Sequence, residues 1–156
     1  MFHWTKSCSY DDEQKRRFHS TARSRLKKLA AELHLVAGSY EIRSNKAGIV
    51  VSGEITLHHD CFYLQVSQFG LSSGHGILIR TCDGRRDFTG GPNHFVGLPL
   101  LDDISGLAAA VHAIKGIATA TAVSTSGQPT GRQVEAGPGS DRNWAQPVLA
   151  DAESTL

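Results

Sequence analysis

The sequence predicts an α+β fold: a two-layer sandwich in which a four-stranded antiparallel meander is flanked by an N-terminal and a C-terminal helix. Three observations predict it. An apolar stripe at helical spacing lies near the N-terminus, four short segments follow in residues 40–80, and a second helical stripe follows residue 102. The element order is therefore α-β-β-β-β-α, with both helices covering one face of the sheet and the other face left in water.

The first helix is predicted over residues 11–34. Asp11 with Gln14 three residues later fits a capping box, and acidic residues in the first turn favour the positive end of the helix dipole. Gly38 lies just past the last turn, where a helix commonly ends. The apolar stripe recurs at spacings of three and four residues: Phe18, Ala22, Leu26, Leu29 and Leu33.

Four strands are predicted by alternation and by the turn residues between them. They begin at Tyr40, Ile49, Phe62 and Ile77, with turns at 45–48 and 58–60 and a Gly/Ser loop at 69–76. Short connections favour antiparallel neighbours. The polar face of the sheet is predicted to carry Glu41, Arg43, Ser52, Glu54, Thr56, Tyr63, Gln65 and Arg80.

The last helix is predicted to begin after Asp102 or Asp103, either of which can accept a hydrogen bond from a free backbone N–H group in the first turn. Gly116 is the expected stop signal. The apolar side of this helix comprises Ile104, Leu107, Ala108, Val111 and Ile114.

Length and composition predict one domain over residues 1–116 and a disordered low-complexity tail over 117–156. The chain has 156 residues and is 40% hydrophobic, which suits one globular domain. The last forty residues are rich in Ala, Ser, Thr, Gly and Pro and show neither a helical nor an alternating period. Such a segment buries too little apolar surface to offset the entropy of ordering it.

Cysteine usage and hydropathy predict a cytoplasmic protein with reduced thiols. The three cysteines, Cys8, Cys61 and Cys82, are odd in number and widely spaced, which is a poor disulfide framework. The N-terminus has no apolar signal region, and no run approaches the roughly 20 apolar residues of a membrane helix. We therefore expect no membrane partner.

The first helix carries seven Lys and Arg residues with no acidic residue between them, from Lys15 to Lys28. Such a surface can neutralise phosphates, although a solvated helix exterior has the same composition. On a helical wheel, Arg16, Arg23 and Lys27 share one flank. The candidate phosphate contacts are Lys15, Arg16, Arg23 and Lys27.

A Gly- and Arg-rich loop follows the fourth strand. Its glycines permit positive φ and leave N–H groups free, and arginine pairs bind two oxygens at once. Plain turn formation explains the same residues, and Asp87 is expected to brace the loop by pairing with Arg85 or Arg86. The candidate binding residues here are Arg80, Arg85, Arg86 and Asn93.

These features predict a small binding protein for an anionic partner, foremost nucleic acid and otherwise an acidic protein surface, with Tyr63 as a candidate stacking residue. The first alternative is a hydrolase-type enzyme with His94 and Asp87 as acid–base pair and Arg86 at the anion. The second is a protein–protein interaction module using the polar sheet face or an edge strand. We predict no cofactor and no metal, because His58, His59 and Cys61 give at most three ligands from one turn.

Overall fold

The structure, a computed structural model, describes residues 2–68, 76–114 and 117. Within them one long helix precedes a sheet, and a short helix follows it. The elements are α1 (Asp12–Glu32), β1 (Tyr40–Asn45), β2 (Glu54–His59), β3 (Phe62–Ser67), β4 (Ile77–Thr81), β5 (His94–Val96), a 3-10 helix (Leu98–Asp102) and α2 (Ile104–His112).

The predicted α+β class and the antiparallel sheet are confirmed, but four strands is one too few. The strand order is β1-β2-β3-β4-β5, and every neighbouring pair is antiparallel. The additional strand, β5, pairs with β4 through Ile77↔Val96, Leu78↔Phe95 and Ile79↔His94. Three residues after a Gly/Pro loop are too few to show an alternating pattern, so only the partner strand reveals β5.

The second strand begins later and ends later than predicted. Gly53 has φ +75° and lies so close to the Asn45 carbonyl that a Cβ would meet it at 2.3 Å, so the strand starts only at Glu54. Ile49 is 57% exposed in the preceding turn. The turn predicted at 58–60 is also wrong at two positions, because His58 and His59 still pair with β1.

Helix α1 begins as predicted, since the Asp11 side chain accepts a hydrogen bond from the Gln14 backbone N–H at 2.9 Å. It ends at Glu32, two residues before the predicted end. The predicted apolar stripe is buried: Phe18, Ala22, Leu26, Leu29 and Leu33. Of the described helices, none is long and apolar enough to cross a membrane.

Asp103, and not Asp102, caps the second helix. The Asp103 carboxylate accepts from the Gly106 N–H at 2.9 Å. Asp102 instead accepts hydrogen bonds at 2.8 Å from the Trp4 indole Nε1 and from Arg25 Nη2. It therefore ties the N-terminal segment and α1 to the start of α2.

The segments before α1 and after α2 contribute to the core. The Phe2 and Trp4 rings lie 4.7 Å apart, and the Trp4 ring lies 6.1 Å from the ring of Phe18 on α1. Ile117, which the predicted boundary assigns to the tail, is buried, and its N–H donates to the Ile114 carbonyl at 3.2 Å. The rest of the predicted tail, the predicted stop at Gly116 and most of the predicted Gly/Ser loop lie outside the described residues.

Candidate binding face of the sheet

The two faces of the sheet differ sharply in composition. Alternation puts Ile55, Leu57 and Leu64, all fully buried, on the face that α1 covers. The other face, here called the open face, is built from cross-strand rows. One row runs Glu41, His58, Tyr63 and Arg80, and the next runs Arg43, Thr56, Gln65, Leu78 and Phe95.

Residues 82–93, here called the arginine loop, are held against the open face by Arg80. Its guanidinium donates to the Thr89 carbonyl at 3.3 Å and to the Phe88 carbonyl. Its Cζ atom also lies 4.7 Å from the centroid of the Tyr63 ring, a cation–π distance. Arg80, predicted as a binding residue, thus has both terminal nitrogens committed to the loop backbone, while its buried Nε has no partner among the described residues.

Asp87 organises the arginine loop from within. Its carboxylate accepts hydrogen bonds from the backbone N–H groups of Gly90, Asp83 and Thr89 and from the Thr89 hydroxyl, at 2.9 to 3.0 Å. These bonds, first the one from Gly90, hold the pKa of Asp87 well below its ordinary value. Asp87 does brace the loop, but through the backbone and not through Arg85 or Arg86 as predicted.

The two loop arginines are available to a partner. Arg85 Nε lies 2.9 Å from Asp60 Oδ1, and both side chains are about half exposed. Ion pairs of this kind typically contribute about 0–1 kcal/mol, so a ligand can replace the pair at small cost. Arg86 is exposed and makes no hydrogen bond or ion pair with any residue that the structure describes.

An aromatic ring stands over the polar strands. Phe88, at the tip of the arginine loop, is 59% exposed. Its ring centroid lies 5.4 Å from that of His58, and the His58 ring lies 5.2 Å from that of Tyr63. The Tyr63 hydroxyl donates to Gln65 Oε1 at 3.1 Å. The open face therefore presents two aromatic rings with a histidine between them.

A hollow of about 220 Å³ opens beside these rings. It is lined by Arg43, Asn45, Glu54, Thr56, His58, Tyr63 and Phe88. His58 is only 6% exposed, and its Nε2 atom has no hydrogen-bond partner among the described residues. Burial lowers the pKa of His58, and the charges of Arg43 and Arg80 lower it further, so the ring is neutral near pH 7.

Of the four phosphate contacts predicted on α1, two are exposed and two bond to other parts of the chain. Arg16 and Lys27 are exposed. Lys15 is 4% exposed and its Nζ donates to the Gly48 carbonyl at 2.6 Å, so it does not belong to the outer surface as predicted. Arg23 Nη2 donates to the Ile42 carbonyl at 3.1 Å, where it covers the free edge of β1. Because α1 packs on the covered face, the structure does not bring these residues next to the arginine loop.

The remaining predicted residues lie along β5. His94, in β5, and Asn93, just before it, are exposed and line a separate groove of about 520 Å³ with residues of α2 that include Ala110. His94 is not among the four hydrogen-bond donors that Asp87 accepts from. Both carboxylate oxygens of Asp87 already accept hydrogen bonds from the loop, and its lowered pKa makes it a weak proton acceptor.

The cysteines are free thiols. Burial raises the pKa of Cys82 to about 11, and its Sγ donates to the His59 carbonyl at 3.3 Å. Burial likewise raises the pKa of Cys8, whose Sγ contacts Gln68 Oε1 at 3.1 Å. Within the described ranges, no group of three His, Cys, Asp or Glu side chains is placed to hold a metal ion.

Sequence reasoning missed two residues of this site. His58 was assigned to a turn, although it continues the polar phase of Glu54 and Thr56, a signal that could have placed it on the open face. Phe88 lies in the predicted Gly- and Arg-rich loop but is not among the predicted binding residues. A single large apolar side chain among Gly, Arg and Asp is a weak signal, and only the fold places it over the sheet.

Comparisons with protein-family models, with curated proteins and with solved structures each found no match. The function must therefore be argued from the chemistry of the open face. Fold class alone implies no activity.

Proposed function

We propose that the protein binds single-stranded nucleic acid across the open face, with the arginine loop as its main contact segment. One observation carries the proposal: Phe88 is 59% exposed on a loop fixed above Tyr63, and Arg85 and Arg86 are exposed on the same loop. A stacking ring beside exposed guanidinium groups is the combination that unpaired bases and their phosphates require.

The two kinds of side chain do different work. Every base has a flat face, so an exposed ring such as Phe88 stacks on it at roughly 1–3 kcal/mol per base with little dependence on sequence. A guanidinium group matches two phosphate oxygens at once, which suits Arg85 and Arg86 to the backbone between stacked bases.

The fixed shape of the loop supports binding. Asp87 and Arg80 already hold the backbone that carries Phe88 through hydrogen bonds to loop N–H and carbonyl groups. Less chain entropy is then lost when a ligand docks, because the contact residues are ordered beforehand.

The exposed basic residues of α1 have a secondary part in this proposal. Arg16 and Lys27 lie on the covered side of the sheet, so they add to general attraction of a polyanion and not to the contact with a stacked base. Lys15 is excluded from this part by its burial.

Fluorescence anisotropy with the full chain and labelled deoxythymidine oligomers of about ten nucleotides tests the proposal. We expect Phe88→Ala to weaken binding roughly 5- to 150-fold, the equivalent of about 1–3 kcal/mol. The double variant Arg85→Ala/Arg86→Ala should lower the salt slope by about 1.4, since each single-strand phosphate contact contributes about 0.7.

The matched control is Arg16→Ala/Lys27→Ala, which removes the same charge from the other side of the sheet. It should leave both the affinity at physiological salt and the slope nearly unchanged. If the two double variants behave alike, net charge and not the arginine loop governs binding. Absence of binding at low salt would overturn the proposal, and a synthetic acidic peptide would then be titrated as the alternative partner.

A further inference from the structure

We infer that the hollow beside Phe88 accepts one unpaired nucleobase that carries an exocyclic amino group, with His58 at one edge of the base and Glu54 at the other. The inference rests on the proposed function and names the part of the ligand that is recognised. It goes beyond stacking, because it gives an otherwise sequence-tolerant surface a preferred base.

A comparison with His19 indicates that His58 has an unused hydrogen-bonding atom for a ligand. His19, under the sheet, is as deeply buried as His58, and both its nitrogens are used: Nδ1 lies 2.6 Å from Ser44 Oγ, and Nε2 donates to the Ser52 carbonyl at 2.8 Å. His58 Nε2 has no such partner among the described residues. Buried polar atoms are nearly always paired, so an unpaired one that lines a hollow marks a site for an incoming group.

The charges of the hollow favour a neutral guest over a phosphate. Arg43 is paired with Glu41 at 2.7 Å, and Glu54 adds a second carboxylate to the same neighbourhood. His58 adds no positive charge because burial lowers its pKa. Among the residues that line the hollow, the one cation is Arg43, which is already paired, so a phosphate there would meet the Glu54 carboxylate, whereas a base brings no charge.

The spacing of the polar groups fits a flat ring. His58 and Glu54 are four residues apart on one face of β2, or about 13 Å between their Cα atoms by the ordinary strand rise. Thr56 lies between them, and its short side chain forms the floor of the hollow. A base lying along the strand can reach both ends through its opposite edges.

Glu54 sets the preference for an amino group. An ionised carboxylate only accepts hydrogen bonds, so the guest must donate at that end, as the amino groups of cytosine and adenine do. The Glu54 side chain makes no hydrogen bond or ion pair of its own within the described part of the chain. Thymine has no exocyclic amino group, and its one ring donor, N3–H, lies between two carbonyl oxygens that a carboxylate repels.

Phe88 controls access to the hollow. Its ring is packed against His58 on one side and exposed on the other, while the backbone beneath it is held by Arg80. Rotation of this side chain uncovers Nε2 without moving the loop. The displaced ring can then stack on the entering base.

The test compares the affinity of the full chain for a deoxythymidine oligomer with that for the same oligomer carrying one central cytidine, adenosine or abasic site. We expect one cytidine or adenosine to raise the affinity about tenfold and the abasic site to lower it. Glu54→Gln and His58→Phe should bring the cytidine-to-thymidine ratio to about one. Glu13→Gln, which removes the same charge from the surface of α1, should retain the ratio.

The outcomes separate this inference from the function it rests on. Equal affinity for all four oligomers would overturn the base-recognition hollow and leave the proposed function intact. A ratio that Glu54→Gln leaves unchanged would also overturn it, even if His58→Phe fails to fold. Binding of no oligomer would overturn both.

Discussion

Helix α1 and the arginine loop carry the same signal in the sequence, a concentration of basic side chains, yet the fold uses them differently. In α1 three of the seven cations are committed to structure, Lys15 to the Gly48 carbonyl, Arg23 to the edge of β1 and Arg25 to Asp102, and the exposed ones lie on the covered side of the sheet. In the loop, Arg85 and Arg86 remain exposed. Counting charge therefore does not locate a binding surface, because what distinguishes the loop is the exposed Phe88 ring beside its cations.

Acidification should have the largest effect, since it acts on three histidines together. Burial lowers the pKa of His19, His58 and His59 below the ordinary 6.5. The unfolded chain therefore takes up protons first as the pH falls, so stability is complete above about pH 6.5 and declines below it. We expect the free energy of unfolding, measured by urea denaturation, to fall steadily from pH 7.5 to pH 5.

The range from pH 7.5 to pH 5 isolates the effect of the histidines. The pKa of Asp87 is lowered from a carboxyl value of 3.8, so the stability that Asp87 contributes is lost only in more acid solution. Stability that stays constant down to pH 5 would contradict the burial of these rings. His19→Gln should flatten the decline in part, since it removes one of the three groups.

Replacing Lys15 tests directly whether the helix cations are structural. Lys15→Met keeps the length of the side chain but removes the charged donor to the Gly48 carbonyl, so we expect a loss of about 1.5–3 kcal/mol in the free energy of unfolding. Lys27→Met, on the exposed flank, should change it by about 0.5 kcal/mol or less. Equal effects of the two substitutions would place Lys15 at the surface.

Two arginine substitutions compare α1 with the arginine loop in the same way, with smaller expected changes in the free energy of unfolding. Arg25 pairs at 2.8 Å with an Asp102 that also binds Trp4, and both partners are mostly buried, so Arg25→Ala should cost about 1 kcal/mol. Arg85→Ala should cost about 0.5 kcal/mol or less, because its ion pair with Asp60 is half exposed. Thermal unfolding monitored by circular dichroism resolves the difference, and a larger loss for Arg85→Ala would make the loop arginines structural.

Much of the fold could be predicted because local rules and tertiary packing agree there. The stripe from Phe18 to Leu33 and the cap at Asp11 are confirmed. The fifth strand could not be predicted, since three residues gain their conformation only from pairing with β4. The end of the preceding turn at Gly53 could not be predicted, because the sequence shows neither its positive φ nor its close approach to the Asn45 carbonyl.

The site was predictable only in part. The loop and several open-face residues, Arg43, Glu54 and Tyr63 among them, follow from composition and alternation. The burial of Lys15 does not follow from composition, because a charged side chain is ordinarily exposed, although Lys15 lies three residues before Phe18 and so continues the buried stripe. Nor does the position of Phe88, which depends on two hydrogen bonds between Arg80 and the loop backbone.

The most direct test of the central claim is an NMR titration of ¹⁵N-labelled protein with a deoxythymidine oligomer at physiological salt. If the open face and the arginine loop are the contact surface, amide shifts will concentrate in residues 82–93 and in β2 and β3, while the amides of α1 barely move. Shifts concentrated along α1 around Arg16 and Lys27, with the arginine loop unaffected, would contradict the account.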